Sequence, residues 1–201
     1  MENLILYSLI NEDKNYILVK NIYKYEEFKK VVKVFSNPPY NEILTDNDCK
    51  IEFNSYIENG FIIGCYVNDD IAGINCILND VPKNYSIKFY DKSRIAYYSG
   101  LAVKEEYRKM GLGKLLVSKT QNYIEQDERY DFSLARILCK GSMSEGIFKK
   151  NNFFDAYDHG ELIIDEVEYL RNTGNIEKDS RKYMIKKIRK SDNFYYRGNY
   201  E

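Results

Sequence analysis

The 201-residue chain has a single histidine, His159, and four cysteines, Cys49, Cys65, Cys76 and Cys139, with no C-x-x-C pair. A zinc site needs clustered Cys and His ligands at short spacing, so no metal is expected. A free thiol in an apolar run behaves as a small core residue, and all four read as buried or incidental thiols of a reducing compartment. Only three prolines occur, with no Gly/Ser/Pro linker and no internal repeat. A single domain over 1–201 is therefore expected, with a core over about 16–188 and a C-terminal tail over 189–201. Apolar runs such as GFIIGCYV fall far short of the roughly 20 residues that a membrane span requires. The opening MENLILYSLINEDK carries Glu2 and no basic stretch, which argues against a secretory leader. The expectation is a cytoplasmic protein without a membrane partner. Excess charge is also missing, since 30 basic residues face 31 acidic ones for a net charge of -1. The totals signal no basic face, and no nucleic-acid partner is expected.

Core material is plentiful, at 44% hydrophobic residues against 30% charged. NYILVKNI (15–22) reads as a first strand, and KYEEFKKVVKVFS places Tyr25, Phe28, Val31, Val32 and Phe35 at helical spacing. Pro38 and Pro39 stop that helix. A second helix is expected from Thr45 or Asp46 as N-cap to Gly60, carrying Cys49, Phe53 and Tyr56 inward. FIIGCYV and IAGINCIL, separated by Asn68, Asp69 and Asp70, read as a hairpin. RIAYYSGLAV (94–103) is the next strand, followed by a glycine turn and a helix from about Leu112 to Gln126. FSLARILC is a further strand. GSMSEGIFKKNNF holds a short helix with a Ser142–Glu145 capping box. Strands near 161–170 and 181–188 follow. The order predicts an α/β fold whose sheet is mixed but mostly antiparallel, flanked by helices.

VKEEYRKMGLGKLL (103–116) carries the chemistry. A dinucleotide fingerprint needs a third small residue where Leu116 stands. A Walker A loop needs glycine at Arg108 and Ser or Thr at Leu115. Both motifs fail. What remains is a strand ending at Val103, a turn, and a helix beginning at Gly111 or Leu112. Amides at a helix N-terminus lack internal partners, and the helix dipole favours an anion there. Gly111 and Gly113 let a phosphate approach the backbone. Arg108, Lys109 and Lys114 add positive charge. A turn in which the glycines only relieve strain is the bland alternative.

GLAVKEEYRKMGLGKLL resembles motif A of the GNAT superfamily of acetyl-CoA-dependent N-acetyltransferases, with Leu101, Val103, Arg108, Gly111 and Gly113 in register. FKKNNF (148–153) is similar to the family's Y-x-x-x-G-F. The resemblance implies the GNAT (acyl-CoA N-acyltransferase) fold over about Tyr16 to Ile188 and acetyl-CoA as co-substrate. It implies that the amides of Lys109, Met110, Gly111, Leu112, Gly113 and Lys114 hold the coenzyme A pyrophosphate. It further implies that the strand through Leu101, Ala102 and Val103 pairs with the pantetheine arm, and that a backbone N–H near Leu101 faces the thioester oxygen. Such a donor is worth about 2.7–4 kcal/mol elsewhere.

Two positions depart from the family. Phe148 stands where a tyrosine often protonates the departing thiolate; it can pack against the cofactor but donates no proton. Tyr97 stands where some members carry a glutamate base. By strand alternation Ile95, Tyr97, Ser99, Leu101 and Val103 share one face. A phenol with a pKa of about 10 is a poor base at neutral pH, so Tyr97 would relay a proton through water or position the amine. Asn152 replaces the family glycine and tolerates the left-handed conformation of a helix C-terminus. Ser142 and Ser144 read mainly as a cap and an exposed hydroxyl, and His159 as an exposed turn residue.

The resemblance places the acceptor between the first two helices and the last two strands. Segments there carry Glu42, Asp46, Asp48, Asp91, Glu161, Asp165 and Glu166, but also Lys83, Lys88 and Lys92, so the sign of the pocket stays open. A small-molecule or peptide amine is the expected acceptor. The tail is expected to dock through Phe194, Tyr195 and Tyr196 on the domain or on a neighbouring subunit, which leaves a homodimer open. The function expected is an N-acetyltransferase in which a primary amine attacks the thioester directly. A non-catalytic acyl-CoA sensor of the same fold is the alternative.

Overall fold

The computed structural model describes residues 5–10, 12, 15–36, 44–81, 87–88, 94–138, 143–156, 163–164 and 181–189. Among the described residues, ten strands and four α-helices run in the order β1 (Ile5–Ile10), β2 (Tyr16–Asn21), α1 (Tyr25–Val32), α2 (Asp46–Asn59), β3 (Gly60–Val67), β4 (Asp70–Leu78), β5 (Ile87–Lys88), β6 (Ile95–Val103), α3 (Leu112–Gln126), β7 (Phe132–Leu138), α4 (Ser144–Lys149), β8 (Phe154–Asp155), β9 (Ile163–Ile164) and β10 (Arg181–Lys187). Eight strands form one sheet in the order β1-β2-β3-β4-β6-β7-β10-β8, and β5 pairs with β9 apart from it. The pairs β1–β2, β2–β3, β3–β4, β7–β10 and β8–β10 are antiparallel. The mixed, mostly antiparallel α/β architecture is the one expected.

The chain forms two compact units, Met1–Leu78 with Tyr98–Tyr123, and Asn79–Tyr97 with Ile124–Glu201. In the first, Phe28, Val31 and Val32 of α1 pack with Phe53 of α2 and with Ile62, Ile74 and Cys76 of the sheet. The Phe28 and Phe53 rings sit 5.5 Å apart. Helix α3 covers the other sheet face. Its stripe of Leu112, Leu116, Val117, Thr120 and Gln121 is buried, and Asn75 Nδ2 donates to Thr120 Oγ1 at 3.0 Å. Alternation along β4 explains the division, because Ile74 and Cys76 face α1 and α2 while Asn75 faces α3. In the second unit β10 pairs with β7 over its whole length, and α4 packs on β7. Arg94 grips Asp131 there through two side-chain bonds of 3.0 and 2.8 Å.

The expected hairpin turns through Asn68 and Asp69, both with positive φ, at 49° and 68°. That matches a two-residue hairpin loop, which needs left-handed residues at both positions. The second helix starts where its cap signal places it. Thr45 Oγ1 accepts from the Asp48 amide, and the Asp48 carboxylate accepts from the Thr45 amide in return. It ends before Gly60, but for a different reason from the one expected. Gly60 is extended, and a Cβ there would stand 1.9 Å from the Ile77 carbonyl oxygen. Close approach of β4 demands the glycine.

Several expectations are revised. Strand β1 arises from the apolar opening, and the first helix finishes as a 3-10 turn over Lys33–Ser36. Helix α4 has Met143 at its N-cap with no side-chain cap bond. Glu145 pairs with Lys149 and Lys182, each at 2.7 Å. Of the strand expected near 161–170, Ile163–Ile164 is described, paired with β5. Pro38, Pro39, Glu42, Lys83, Asp91, Lys92, Cys139, Ser142, His159, Glu161, Asp165, Glu166 and the tail with Phe194, Tyr195 and Tyr196 lie outside the described residues. Cys49, Cys65 and Cys76 are free and buried. Burial pushes the Cys65 thiol up to about 12, so it stays neutral at physiological pH.

Candidate functional site

Strand β6 delivers the chain into the loop that precedes α3, and the β3–β4 hairpin anchors the junction. The Lys104 amide donates to the Ala72 carbonyl at 2.9 Å. Asp70, at the start of β4, accepts from Lys104 Nζ at 3.1 Å and from the Tyr107 hydroxyl at 2.9 Å. Burial pushes the Asp70 carboxyl up, but these two bonds outweigh it and hold the group below its ordinary range. The Tyr107 and Arg108 amides close a short 3-10 turn onto Lys104 and Glu105.

Beyond Arg108 the backbone leaves ordinary geometry. Lys109 has φ 68° and Gly111 φ 77°. A side chain at Gly111 would be strained by its dihedral, because an L-residue there brings Cβ against the following carbonyl. The direction in which that Cβ would point is open, with no atom within 4 Å. The Leu115 amide donates to the Gly111 carbonyl at 3.0 Å. The amides of Leu112, Gly113 and Lys114 therefore precede the first rung of the helix and form its positive end. Arg108, Lys109, Met110, Gly111 and Lys114 are exposed, Gly113 is half-buried, and Leu112 anchors the turn in the core. Arg108 Nε reaches back to the Val103 carbonyl at 3.4 Å. An exposed turn at a helix N-terminus, with three exposed cationic residues in the same short segment and open space in front of a glycine, suits a phosphate-bearing ligand.

Strand β6 does not alternate as expected. The Tyr98 hydroxyl donates to Gln121 Oε1 of α3 at 2.9 Å. Ser99 Oγ lies 3.0 Å from the Tyr56 hydroxyl of α2. A Cβ on Gly100 would stand 2.9 Å from the Phe35 ring, and Ala102 belongs to the α1–α2 core cluster. Val103 Cγ2 lies beside Gly73 together with Leu116 of α3. Two successive residues, Ser99 and Gly100, thus face α1 and α2, which is the signature of a bulge. Ser99 consequently does not share a face with Val103, which lies with Leu116 of α3.

Leu101 and Val103 are half-buried and Ala102 is buried, so the strand expected to line the cofactor runs directly into the glycine loop. These residues and 108–114 fall in the first unit. Tyr97 and Phe148 fall in the second, where both are buried. Phe148 packs edge-on against Phe153 with ring centres 5.0 Å apart. Asn152 adopts the left-handed conformation at φ 63°. Two acidic candidates for the acceptor side are engaged locally. Asp46 bonds Tyr25 at 3.1 Å and pairs with Lys29, while Asp48 caps α2. The Tyr56–Ser99 pair escaped the sequence reading, since neither residue is unusual alone and alternation placed Ser99 elsewhere. Among the described residues no group of three His, Cys, Asp or Glu side chains gathers to hold a metal, and no described helix is long and apolar enough to cross a membrane.

Residues 24–135, which span the first two helices, the hairpin, β6 and the glycine loop, match the acetyltransferase (GNAT) family model. The chain belongs to that family. Solved GNAT structures share its fold. The ribosomal-protein-S18-alanine N-acetyltransferase from Escherichia coli is 11% identical, with a TM-score of 0.58 over 90% of this chain and 99% of that one. A Bacillus subtilis acetyltransferase in complex with CoA is 16% identical, with a TM-score of 0.53 over 84% and 97%. A candidate acetyltransferase from Pyrococcus horikoshii is 18% identical, with a TM-score of 0.52 over 69% of this chain and 43% of that one, so this chain spans less than half of that protein. Among curated proteins none matches. At these identities the structural likeness establishes the GNAT fold, and the family assignment makes an acyltransferase the enzyme class.

Proposed function

We propose that this chain is an N-acetyltransferase that carries an acetyl group from acetyl-CoA to a primary amine. The observation that carries the reading is the loop at the N-terminus of α3. There the left-handed Gly111 opens onto free space, and the exposed Arg108, Lys109 and Lys114 belong to the same segment as the amides of the helix N-terminus. Charge, backbone donors and access all suit a pyrophosphate. The co-substrate supplies an acetyl thioester. The residues divide the work of handling it. The amides of Lys109, Met110, Gly111, Leu112, Gly113 and Lys114 hold the diphosphate, with the buried Leu112 side chain anchoring the loop beside Gly111. The backbone of Leu101, Ala102 and Val103 lies along the arm. The amide near Leu101 serves as hydrogen-bond donor to the oxygen that gains charge during attack, a contribution of about 2.7–4 kcal/mol in comparable sites. Phe148 offers packing surface without a proton. Tyr97, buried in β6, acts through position and not as a base.

Phe148 is also the observation that favours the second reading, an acyl-CoA sensor without turnover. Thiol release measured with acetyl-CoA and a panel of spermidine, lysine, kanamycin and an alanine-first hexapeptide separates the two. Release that depends on one of these amines is the expected outcome. Tight acetyl-CoA binding without release for any amine would replace the enzyme by the sensor.

A further inference from the structure

The bulge in β6 has a chemical consequence. It turns the Ser99 hydroxyl away from the face shared by Leu101 and Val103 and toward α2, where it meets the Tyr56 hydroxyl at 3.0 Å. Both side chains are half-buried, in contrast to the fully buried Tyr98–Gln121 pair on the other face. The Tyr56 ring is fixed from behind by Phe28, with ring centres 6.3 Å apart. The pair is thus held in place by an apolar cluster while remaining within reach of a ligand.

Its position along the strand agrees with the site already described. Ser99 precedes Val103 by four residues, so it lies about 13 Å back from the strand end at an extended rise of about 3.3 Å per residue. An extended arm anchored at the Gly111 loop and laid along β6 delivers its far end to the neighbourhood of Leu101 and Ser99. We propose that Ser99 Oγ contacts the acceptor amine and that Tyr56 is the positioning residue that holds it, an inference that rests on the N-acetyltransferase reading.

A serine hydroxyl has one donor and two lone pairs, and its proton rotates to suit its partners. When the Tyr56 O–H donates to Ser99 Oγ, the remaining lone pair accepts an amine N–H. The nitrogen lone pair is then left to face the carbonyl carbon. The role is orientation of the nucleophile, and no proton transfer is assigned to the pair. Tyr97 on the same strand is buried, whereas Ser99 is half-buried, so Ser99 is the better placed of the two to touch a ligand. Neither Asp46 nor Asp48 is available for it, being committed to Lys29 and to the cap of α2.

The test compares wild type with Ser99→Ala, Ser99→Thr, Tyr56→Phe and the Ser99→Ala/Tyr56→Phe double variant. Acetyl transfer is measured with spermidine and an alanine-first hexapeptide as probes, alongside calorimetric CoA affinity and thermal midpoints. Ser99→Ala and Tyr56→Phe are each expected to raise the amine KM about tenfold, as for loss of one hydrogen bond. The double variant should match Ser99→Ala alone, since the two residues act as a unit. Ser99→Thr, which keeps the hydroxyl, should restore most of the affinity, and CoA affinity should change less than about twofold. An unchanged amine KM in Ser99→Ala, a parallel loss of CoA affinity, or a rise in Ser99→Thr as large as in Ser99→Ala would each overturn the assignment. Wild-type protein that binds acetyl-CoA but acetylates none of spermidine, lysine, kanamycin and the hexapeptide would instead overturn the transferase reading on which the assignment rests.

Discussion

Gly111 shows how one residue links backbone strain to binding. Its φ of 77° is a conformation that costs an L-residue about 1–2 kcal/mol. Gly111→Ala is therefore expected to lower the unfolding free energy by about that amount, read from urea midpoints at constant m-value. It should also weaken CoA binding, because relaxing the strain moves the amides that follow. An unchanged midpoint would mean that the loop rearranges without cost. The glycine was legible in the sequence because its spacing from Val103 and Leu112 agrees with a strand, a loop and a helix at once. The reason for it was only half legible. The sequence leaves room for phosphate and relief of strain as alternatives, and the backbone shows that at Gly111 the dihedral itself requires glycine. Ser99 illustrates the opposite case. Alternation is a sound rule for a regular strand, and Gly100, a glycine inside a strand pattern, is the one local hint in YYSGLA of the bulge that breaks it. Its discovery needed the positions of Tyr56, Phe35 and Gln121, residues far away in the chain.

Helix α2 was readable almost to the residue, because its signals are local. Thr45 and Asp48 satisfy each other's backbone amides in a reciprocal cap, and the chain changes period at Gly60. Thr45→Ala should cost about 1 kcal/mol of stability. The cap also carries a pH signature. Bonding to the Thr45 side chain and then to its backbone amide holds the Asp48 carboxyl below its ordinary value of 3.8. A depressed carboxyl stabilises the fold above its unfolded pKa, and that contribution disappears as pH falls through the lower folded value. The stability difference between wild type and Thr45→Ala should accordingly shrink on acidification below about pH 4. A difference constant down to pH 2 would show that the cap carboxylate contributes nothing. Short elements were less readable. Strand β8 has two residues and no periodicity to detect, and β1 exposes Ile5, Leu9 and Ile10, so its pattern does not mark a buried face.

At the scale of the molecule, local sequence marked the long elements and the β3–β4 hairpin but not the neighbours of the other strands. The strand order places β6 between β4 and β7, and β10 between β7 and β8, through contacts between residues distant in the chain. Composition alone carries no such information. The family resemblance supplied it, because a motif in register brings a whole topology with it. The same topology sets the central claim, that the N-terminus of α3 is built for a diphosphate. The most direct measurement is calorimetric titration of the wild-type protein with CoA and, separately, with pantetheine, which has the arm but no pyrophosphate. CoA should bind, and pantetheine should bind at least about 100-fold more weakly, corresponding to loss of about 2.7 kcal/mol. Equal affinity for the two, or no binding of CoA at all, would contradict the account.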